Sequence, residues 1–190
     1  MLRELVRPFA YLRIQHASGT LRAVNWALPV GAAAVCVALG AWVSPSVNVF
    51  HADGLLVKLL GFVQSLPGFY LAALAAVATF AKEGLDRLMP GEAPKVDIIY
   101  NGQLTVVELT RRRFLSMMFA YLTVLSILLT MAAILATTFV DPIRALLTPL
   151  GRAWLKGAFA FFYLAMLAQM LVITMWGIYY LGERMHTPDY

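Results

Sequence analysis

Charged side chains are scarce in this chain of 190 residues. They make up 13% of the sequence, while 61% of the residues are hydrophobic; soluble domains average about 25% charged residues. The one cysteine, Cys36, cannot form a disulfide within the chain and indicates nothing about the redox compartment. The composition therefore excludes an ordinary soluble domain and a disulfide-stabilised secreted scaffold.

Catalytic and metal-binding motifs are also missing. The sequence contains no HExxH, no CxxC, no Walker loop and no GxSxG. The histidines His16, His51 and His186 are far apart along the chain. We therefore expect no catalytic residue, no metal ligand and no cofactor, and we predict that the protein is not an enzyme.

Long apolar segments are what the chain does have. Four of them occupy residues 24–43, 55–80, 114–140 and 157–181. About 20 apolar residues in a helix cross the roughly 30 Å core of a bilayer, and a helix satisfies its own backbone polar groups there. The sequence predicts an all-α membrane protein, a four-helix transmembrane bundle. Its second span should be kinked at Pro67 and Gly68, because proline removes one backbone hydrogen bond.

The basic residues predict the orientation. Eleven of the 15 Lys and Arg residues lie in residues 1–22, in the loop 82–113 or in the tail 182–190. By the positive-inside rule, both termini and that loop are cytoplasmic. Residues 1–22 are amphipathic and interrupted by Pro8, so we expect a short segment lying on the inner leaflet or, alternatively, docking a partner. The external link 141–156 should hold a short interfacial helix between two turns, with Trp42 and Trp154 at the outer membrane boundary.

A β-hairpin is predicted at residues 95–108 of the cytoplasmic loop. Asn101-Gly102 separates two β-prone runs, which is the strongest short hairpin signal. This turn places Ile99 opposite Leu104 and Ile98 opposite Thr105. Because an isolated hairpin is marginal in water, it should contact neighbouring subunits, the membrane surface or a partner protein. The residues we expect to form that platform are Ile98, Ile99, Tyr100, Leu104 and Val106.

Three arginines, Arg111, Arg112 and Arg113, precede the third span, with Thr110 placed to cap its helix. We expect the arginines to contact lipid headgroups or a partner. Direct binding of nucleic acid is not expected, because no aromatic residues alternate with the cluster and no larger basic surface accompanies it.

Small and hydroxyl residues recur on the predicted helices at spacings of three, four and seven. Such rows let helices approach closely in a membrane. The hydroxyl row of the third span has two alternative roles: contact between helices, within one chain or across subunits, or the lining of a polar pathway on an oligomer axis. The predicted seam residues are Gly31, Ala34, Ala38, Ser116, Thr123, Ser126, Thr130 and Thr137.

The layout of the chain, together with the stretches 66–70, 78–80 and 110–114, resembles the membrane subunits of two-component bacterial antiphage systems, the Kiwa membrane component in particular. The resemblance implies a homo-oligomer in the bacterial inner membrane, which senses infection and holds a soluble, DNA-binding effector at its cytoplasmic face. No catalytic residues carry over. We therefore predict an oligomeric sensor or scaffold, with a tetramer favoured. The alternative is a channel or pore, serving membrane permeabilisation or small-solute transport.

Overall fold

The computed structural model describes residues 6–14, 23–43, 49–50, 54–79, 83–88, 94–100 and 103–181. A 3₁₀ helix, Arg7–Arg13, comes first, and a π-helical turn, Ala23–Ala27, leads into the first α-helix. The α-helices are α1 (Leu28–Val43), α2 (Leu55–Val63), α3 (Leu66–Thr79), α4 (Glu83–Asp86), α5 (Arg111–Leu146) and α6 (Pro149–Tyr179), and the strands are β1 (Lys95–Tyr100) and β2 (Gln103–Glu108).

Among the described residues, four helical segments are long and apolar enough to cross a bilayer: Ala23–Trp42, Leu55–Thr79, Arg111–Leu146 and Pro149–Tyr179. They agree with the four predicted apolar segments, and the predicted small β-hairpin is present between the second and third. The helical part of the predicted fold class is thus confirmed: the described chain is mostly helical, with four long apolar helices and one two-stranded sheet.

The second long segment is interrupted just before Pro67. α2 ends at Val63 and α3 begins at Leu66, with Gln64 and Ser65 between them. Proline has no N–H to donate to the preceding turn, but it fits the first turn of a helix, where the N–H groups lack helical partners anyway. The Ser65 hydroxyl donates to the Phe62 carbonyl at 2.9 Å and satisfies one group at the break.

The last two helices are longer than predicted, and the link between them is shorter. α5 continues through Pro142 to Leu146, and α6 begins at Pro149, so only two residues join them. The prediction of a short separate helix in 141–156 is wrong. Thr148 and Pro149 explain the tight link: the Thr148 hydroxyl accepts from the Gly151 N–H at 3.3 Å, and proline suits the first helical position.

The helices pack in the order α1, α6, α5 and then α2 with α3. Within the described residues, no packing of comparable extent joins α1 to α3, so these two helices lie at the two edges of the array. α5 is the central element and contributes the largest share of buried residues. The end of the array that carries the N-terminus of α5 is called the hairpin end below, and the opposite end, at the α5–α6 link, is called the link end.

Candidate functional site

The β-hairpin has the predicted register. β1 and β2 pair antiparallel, with Ile99 opposite Leu104 and Ile98 opposite Thr105. Its turn, residues 101–102, lies outside the described residues. In the part of the chain that the structure describes, the sheet has two strands only, so each strand has one edge without a strand partner among those residues. Unpaired edges are templates for adding a further strand.

The hairpin is anchored at its base. The Leu109 N–H donates to the Pro94 carbonyl at 3.0 Å, and Leu109 is fully buried. Val96 is also buried, with 2% of its surface exposed, and β1 packs against the 3₁₀ helix. Successive strand residues face opposite sides, so Val96 identifies the inward side of the hairpin.

Val106 lies on the outward side of the hairpin and is 61% exposed. Thr105 is exposed as well, on the side opposite Val106. Of the five predicted platform residues, Val106 is therefore an exposed apolar side chain; the side chains of the other four lie outside the described part of the structure.

Arg112, in the first turn of α5, contacts both α4 and the C-terminal end of α3. Its guanidinium donates to both carboxylate oxygens of Asp86, at 2.7 and 3.0 Å, and to the Val77 carbonyl at 2.9 Å. A helix leaves its last carbonyls without helical donors, and Arg112 supplies one to α3. The hydrogen bond from Arg112 lowers the pKa of Asp86 below its ordinary value of 3.8, which keeps the carboxylate charged.

The three arginines therefore have different surroundings. Arg111 is buried, with 5% of its surface exposed, and its N–H donates to the Arg87 carbonyl at 3.1 Å. Arg112 is engaged within the chain, whereas Arg113 is exposed. The predicted contact with lipid or a partner stays a prediction; the geometry leaves Arg113 as the most accessible of the three. Thr110 caps α5 as predicted, accepting from the Arg113 N–H at 3.3 Å.

A buried polar hub, formed by Tyr11, Asn25, Tyr121 and Gln169, connects the N-terminal segment to three long helices. The Tyr121 hydroxyl donates to Gln169 Oε1 at 2.7 Å. Gln169 Nε2 in turn donates to the Asn25 carbonyl at 2.7 Å. The Tyr11 hydroxyl donates to Asn25 Oδ1 at 3.3 Å. Gln169 uses both ends of its amide, which makes it the central member of the hub.

Aromatic contacts hold the N-terminal 3₁₀ helix against α5. The Tyr11 ring stacks on Tyr121 with centroids 5.3 Å apart, and Phe9 meets Tyr121 edge-on at 6.0 Å. Tyr11 is fully buried, and burial raises the pKa of Tyr11 above its ordinary value. The apolar side of this segment therefore packs against α5. Its contact with the inner leaflet or with a partner stays a prediction.

The hydroxyl row of α5 faces the interior of the chain. Ser126 is fully buried and Thr123 nearly so, while Thr130 and Thr137 are half-buried. Each donates to a carbonyl of its own helix: Thr123 to Phe119, Ser126 to Thr123, Thr130 to Ser126 and Thr137 to Ala133, at 2.8–2.9 Å. Ser116 is half-buried on the same helix. Within one chain, the arrangement favours helix contact over a polar pathway.

The small-residue row of α1 points away from the other helices. Gly31, Ala34 and Ala38 are exposed, and α1 instead buries Pro29 and Ala33. A methyl group added to Gly31 or Gly68 would meet no other atom within 4 Å. These residues are therefore not seams within the chain.

α6 contacts α5 tightly at a glycine that the sequence pattern did not single out. A Cβ atom on Gly177 of α6 would lie 2.5 Å from Met118 Cε on α5. Gly177 therefore leaves the space that the Met118 side chain occupies between these two helices. The spacing of small residues does not reveal Gly177, because it is a single small residue among Trp176, Ile178 and Tyr179.

Among the described residues, no three His, Cys, Asp or Glu side chains come together in a way that would hold a metal ion. Comparison of the chain with protein-family models, with curated proteins and with solved structures finds no match. The site is therefore interpreted from its own geometry.

Proposed function

We propose that this protein is an integral membrane scaffold whose hairpin end holds a soluble cytoplasmic protein. The observation that carries the proposal is the two-stranded hairpin, which is anchored through Val96 and Leu109 and presents the exposed Val106. Among the described residues, each of its strands also has one edge without a strand partner. A partner can add a strand to such an edge, with backbone hydrogen bonds giving affinity and side chains giving specificity.

Membrane placement, with both termini cytoplasmic, is the first part of the proposal. It is supported by the four long apolar helices and by Trp42 and Trp154, which are 84% and 74% exposed near the link end, as aromatic residues at a bilayer boundary are. Cysteine accessibility tests it in a Cys36→Ser background. A water-soluble maleimide should label Trp154→Cys on intact cells, and Thr105→Cys only after permeabilisation. The reverse pattern would contradict the orientation.

Docking of the soluble partner is tested by paired substitutions on the two sides of the hairpin. Val106→Asp places a charge on the outward side and should abolish co-purification of the partner from the native host. Thr105→Asp, the matched control, introduces the same charge at an exposed neighbour on the other side and should retain it. If the partner co-purified equally with both variants, the docking proposal would be wrong.

The expected setting is antiphage defence. There, a change in helix packing during infection would pass through the polar hub to the 3₁₀ helix, since Tyr11 is a member of the hub. It would pass from there to the hairpin, because β1 packs against the 3₁₀ helix. The efficiency of phage plating on cells that carry the complete system provides the assay. Val106→Asp should raise it to the level of a strain without the protein, while Thr105→Asp should not.

A homo-oligomer, with a tetramer favoured, is the third part of the proposal. Its support is the exposure of small residues on both edge helices, at Gly31 and Ala34 of α1 and at Gly68 of α3. The hairpin ends of the two spans are Ala23 and Thr79, and Ala34 and Gly68 each lie 11 residues from that end. Subunits carrying Ala34→Cys and Gly68→Cys in the Cys36→Ser background should therefore form disulfides with each other. If no disulfide-linked dimer or larger product formed, contact between these edges would be contradicted.

The alternative of a pore has less support. The hydroxyls that would line it are turned into the chain and are bonded to their own helix, as a cheaply buried packing surface would be. Thr123→Val and Thr130→Val should leave the conductance of reconstituted bilayers unchanged. A clear change in conductance would instead support a pore lined by these hydroxyls.

A further inference from the structure

An apolar cavity of about 570 Å³ opens at the link end, between α5 and α6. Its walls are aliphatic and aromatic, with Leu135, Phe139 and Phe159 among them, and Phe50, which lies just before α2, contributes to the lining. This volume lies within the range of about 300–1,000 Å³ that ligand pockets occupy. An apolar cavity of this size can accommodate a hydrocarbon chain.

Three cationic residues, Arg144, Arg152 and Lys156, also line this cavity. Arg152 donates through Nε to the Leu147 carbonyl at 2.9 Å, which uses one of the five N–H donors of its guanidinium. Arg144 Nη1 lies 3.7 Å from Asp141 Oδ1, in an exposed pair of the kind that contributes little and is easily exchanged. Asp141 is the single acidic residue in 141–156, so the mouth has a net positive charge.

Trp154 indicates the depth of this mouth. It lies on the first turns of α6, between Arg152 and Lys156, and is 74% exposed. Exposed tryptophans on membrane helices lie at headgroup level. The cations are thus placed at the depth of lipid phosphates, with the apolar cavity beside them.

We propose that this cavity binds an anionic phospholipid, with an acyl chain in the apolar part and the phosphate beside Arg144, Arg152 and Lys156. An acyl chain that enters the cavity leaves one apolar medium for another, so the headgroup decides which lipid binds. Basic pockets between membrane helices bind acidic headgroups by this charge complementarity. The inference rests on the membrane placement proposed above, but not on the docking of a soluble partner.

Native mass spectrometry of the full-length protein in detergent, titrated with phosphatidylglycerol or phosphatidylcholine of matched chains, tests the proposal. Saturable binding of phosphatidylglycerol is expected, with phosphatidylcholine at least several-fold weaker. Equal affinities would overturn the proposal. Free glycerol phosphate should not displace the lipid; displacement would indicate a simple anion site and would also overturn it.

Two variants locate the site. Arg144→Gln should weaken phosphatidylglycerol binding by about fivefold, the effect of one cation near an anionic lipid surface. Lys58→Gln is the matched control, because Lys58 is an exposed cation on the predicted outer side and does not line the cavity; it should bind as the unaltered protein does. An equal loss in both variants, or a loss in neither, would overturn the proposal.

A third variant tests the acyl chain. Ala153 lines the cavity and is exposed, so Ala153→Phe narrows it without changing the charge or the buried core. Phosphatidylglycerol binding should be lost while the thermal unfolding of the protein is retained. Unchanged binding would show that the headgroup alone is recognised and that the cavity is not the site. The cysteine-labelling pattern described above reports membrane placement separately, so failure of one proposal does not imply failure of the other.

Discussion

Gln169→Leu should destabilise the protein chiefly by leaving the Tyr121 hydroxyl buried without an acceptor. Gln169 is 6% exposed and Tyr121 is 2% exposed, so water does not readily replace the lost bond of 2.7 Å. An orphaned buried group costs about 1–3 kcal/mol in soluble proteins. Hydrogen bonds between membrane helices are worth less, averaging about 0.6 kcal/mol with a maximum near 1.7. We therefore expect a loss of about 1–2 kcal/mol in the free energy of unfolding.

A double-mutant cycle separates the bond from other effects of the substitution. Gln169→Leu, Tyr121→Phe and their combination are compared by reversible unfolding in mixed micelles, followed by tryptophan fluorescence. The double variant removes both partners, so the coupling free energy should be about 0.6–1.7 kcal/mol. Thr130→Val is the control: its hydroxyl bonds only to its own helix, at the Ser126 carbonyl, and its loss should cost less than about 0.5 kcal/mol. A coupling within the additivity limit of about 0.3–0.5 kcal/mol would refute the hub.

Three further predictions concern the packing at the hairpin end and the salt bridge there. Gly177→Leu should lower the free energy of unfolding by about 1–3 kcal/mol through overpacking, while Gly31→Leu, which meets open space, should leave the protomer's unfolding unchanged; equal effects would contradict the close approach. Tyr11→Ala should release the 3₁₀ helix and speed trypsin cleavage after Arg13, and unchanged proteolysis would show that the segment is not held by this ring. Because the folded pKa of Asp86 is lowered, its stabilising pair with Arg112 is fully present above the ordinary pKa of 3.8 and is lost as the pH falls through the lower folded value. Asp86→Asn should flatten this part of the pH dependence of the melting temperature, and an unchanged acid limb would contradict it.

Local signals predicted the hairpin end well. The pairing of Ile99 with Leu104 follows from an Asn-Gly turn and strand alternation, which are set by residues close together in sequence. The Thr110 cap follows equally from a hydroxyl residue just before a helix. Neither feature needs knowledge of which helices are neighbours.

The packing surface of α1 could not be predicted in this way. Residues 31–34 read Gly-Ala-Ala-Ala, so small residues occur on every side of this helix and several rows fit the same spacing. The structure buries Ala33 and leaves Gly31 and Ala34 exposed. The choice depends on the shape of α6, which the sequence of α1 does not contain.

The polar hub was missed because its members are far apart. Asn25 and Gln169 are separated by 144 positions. One signal pointed toward it: Gln169 is an amide within a long apolar helix, where an unpaired polar group is costly. Such a residue predicts that a partner exists. Finding the partners required knowing that the turn before α1 and the helices α5 and α6 are neighbours.

The order of the helices bears on both the scaffold and the pore. α5 and α6 occupy the middle of the array and bury the hydroxyl row, while α1 and α3 form its edges. Contact between the α1 edge of one subunit and the α3 edge of the next is heterologous, and such contacts close into rings when the rotation per subunit allows it. In that ring each hydroxyl row stays within its own subunit. Any passage would instead be bordered by residues outside the buried row, and these are apolar along most of the spans. The same ring would bring several hairpins to one face of the membrane, where their unpaired edges could bind a partner together.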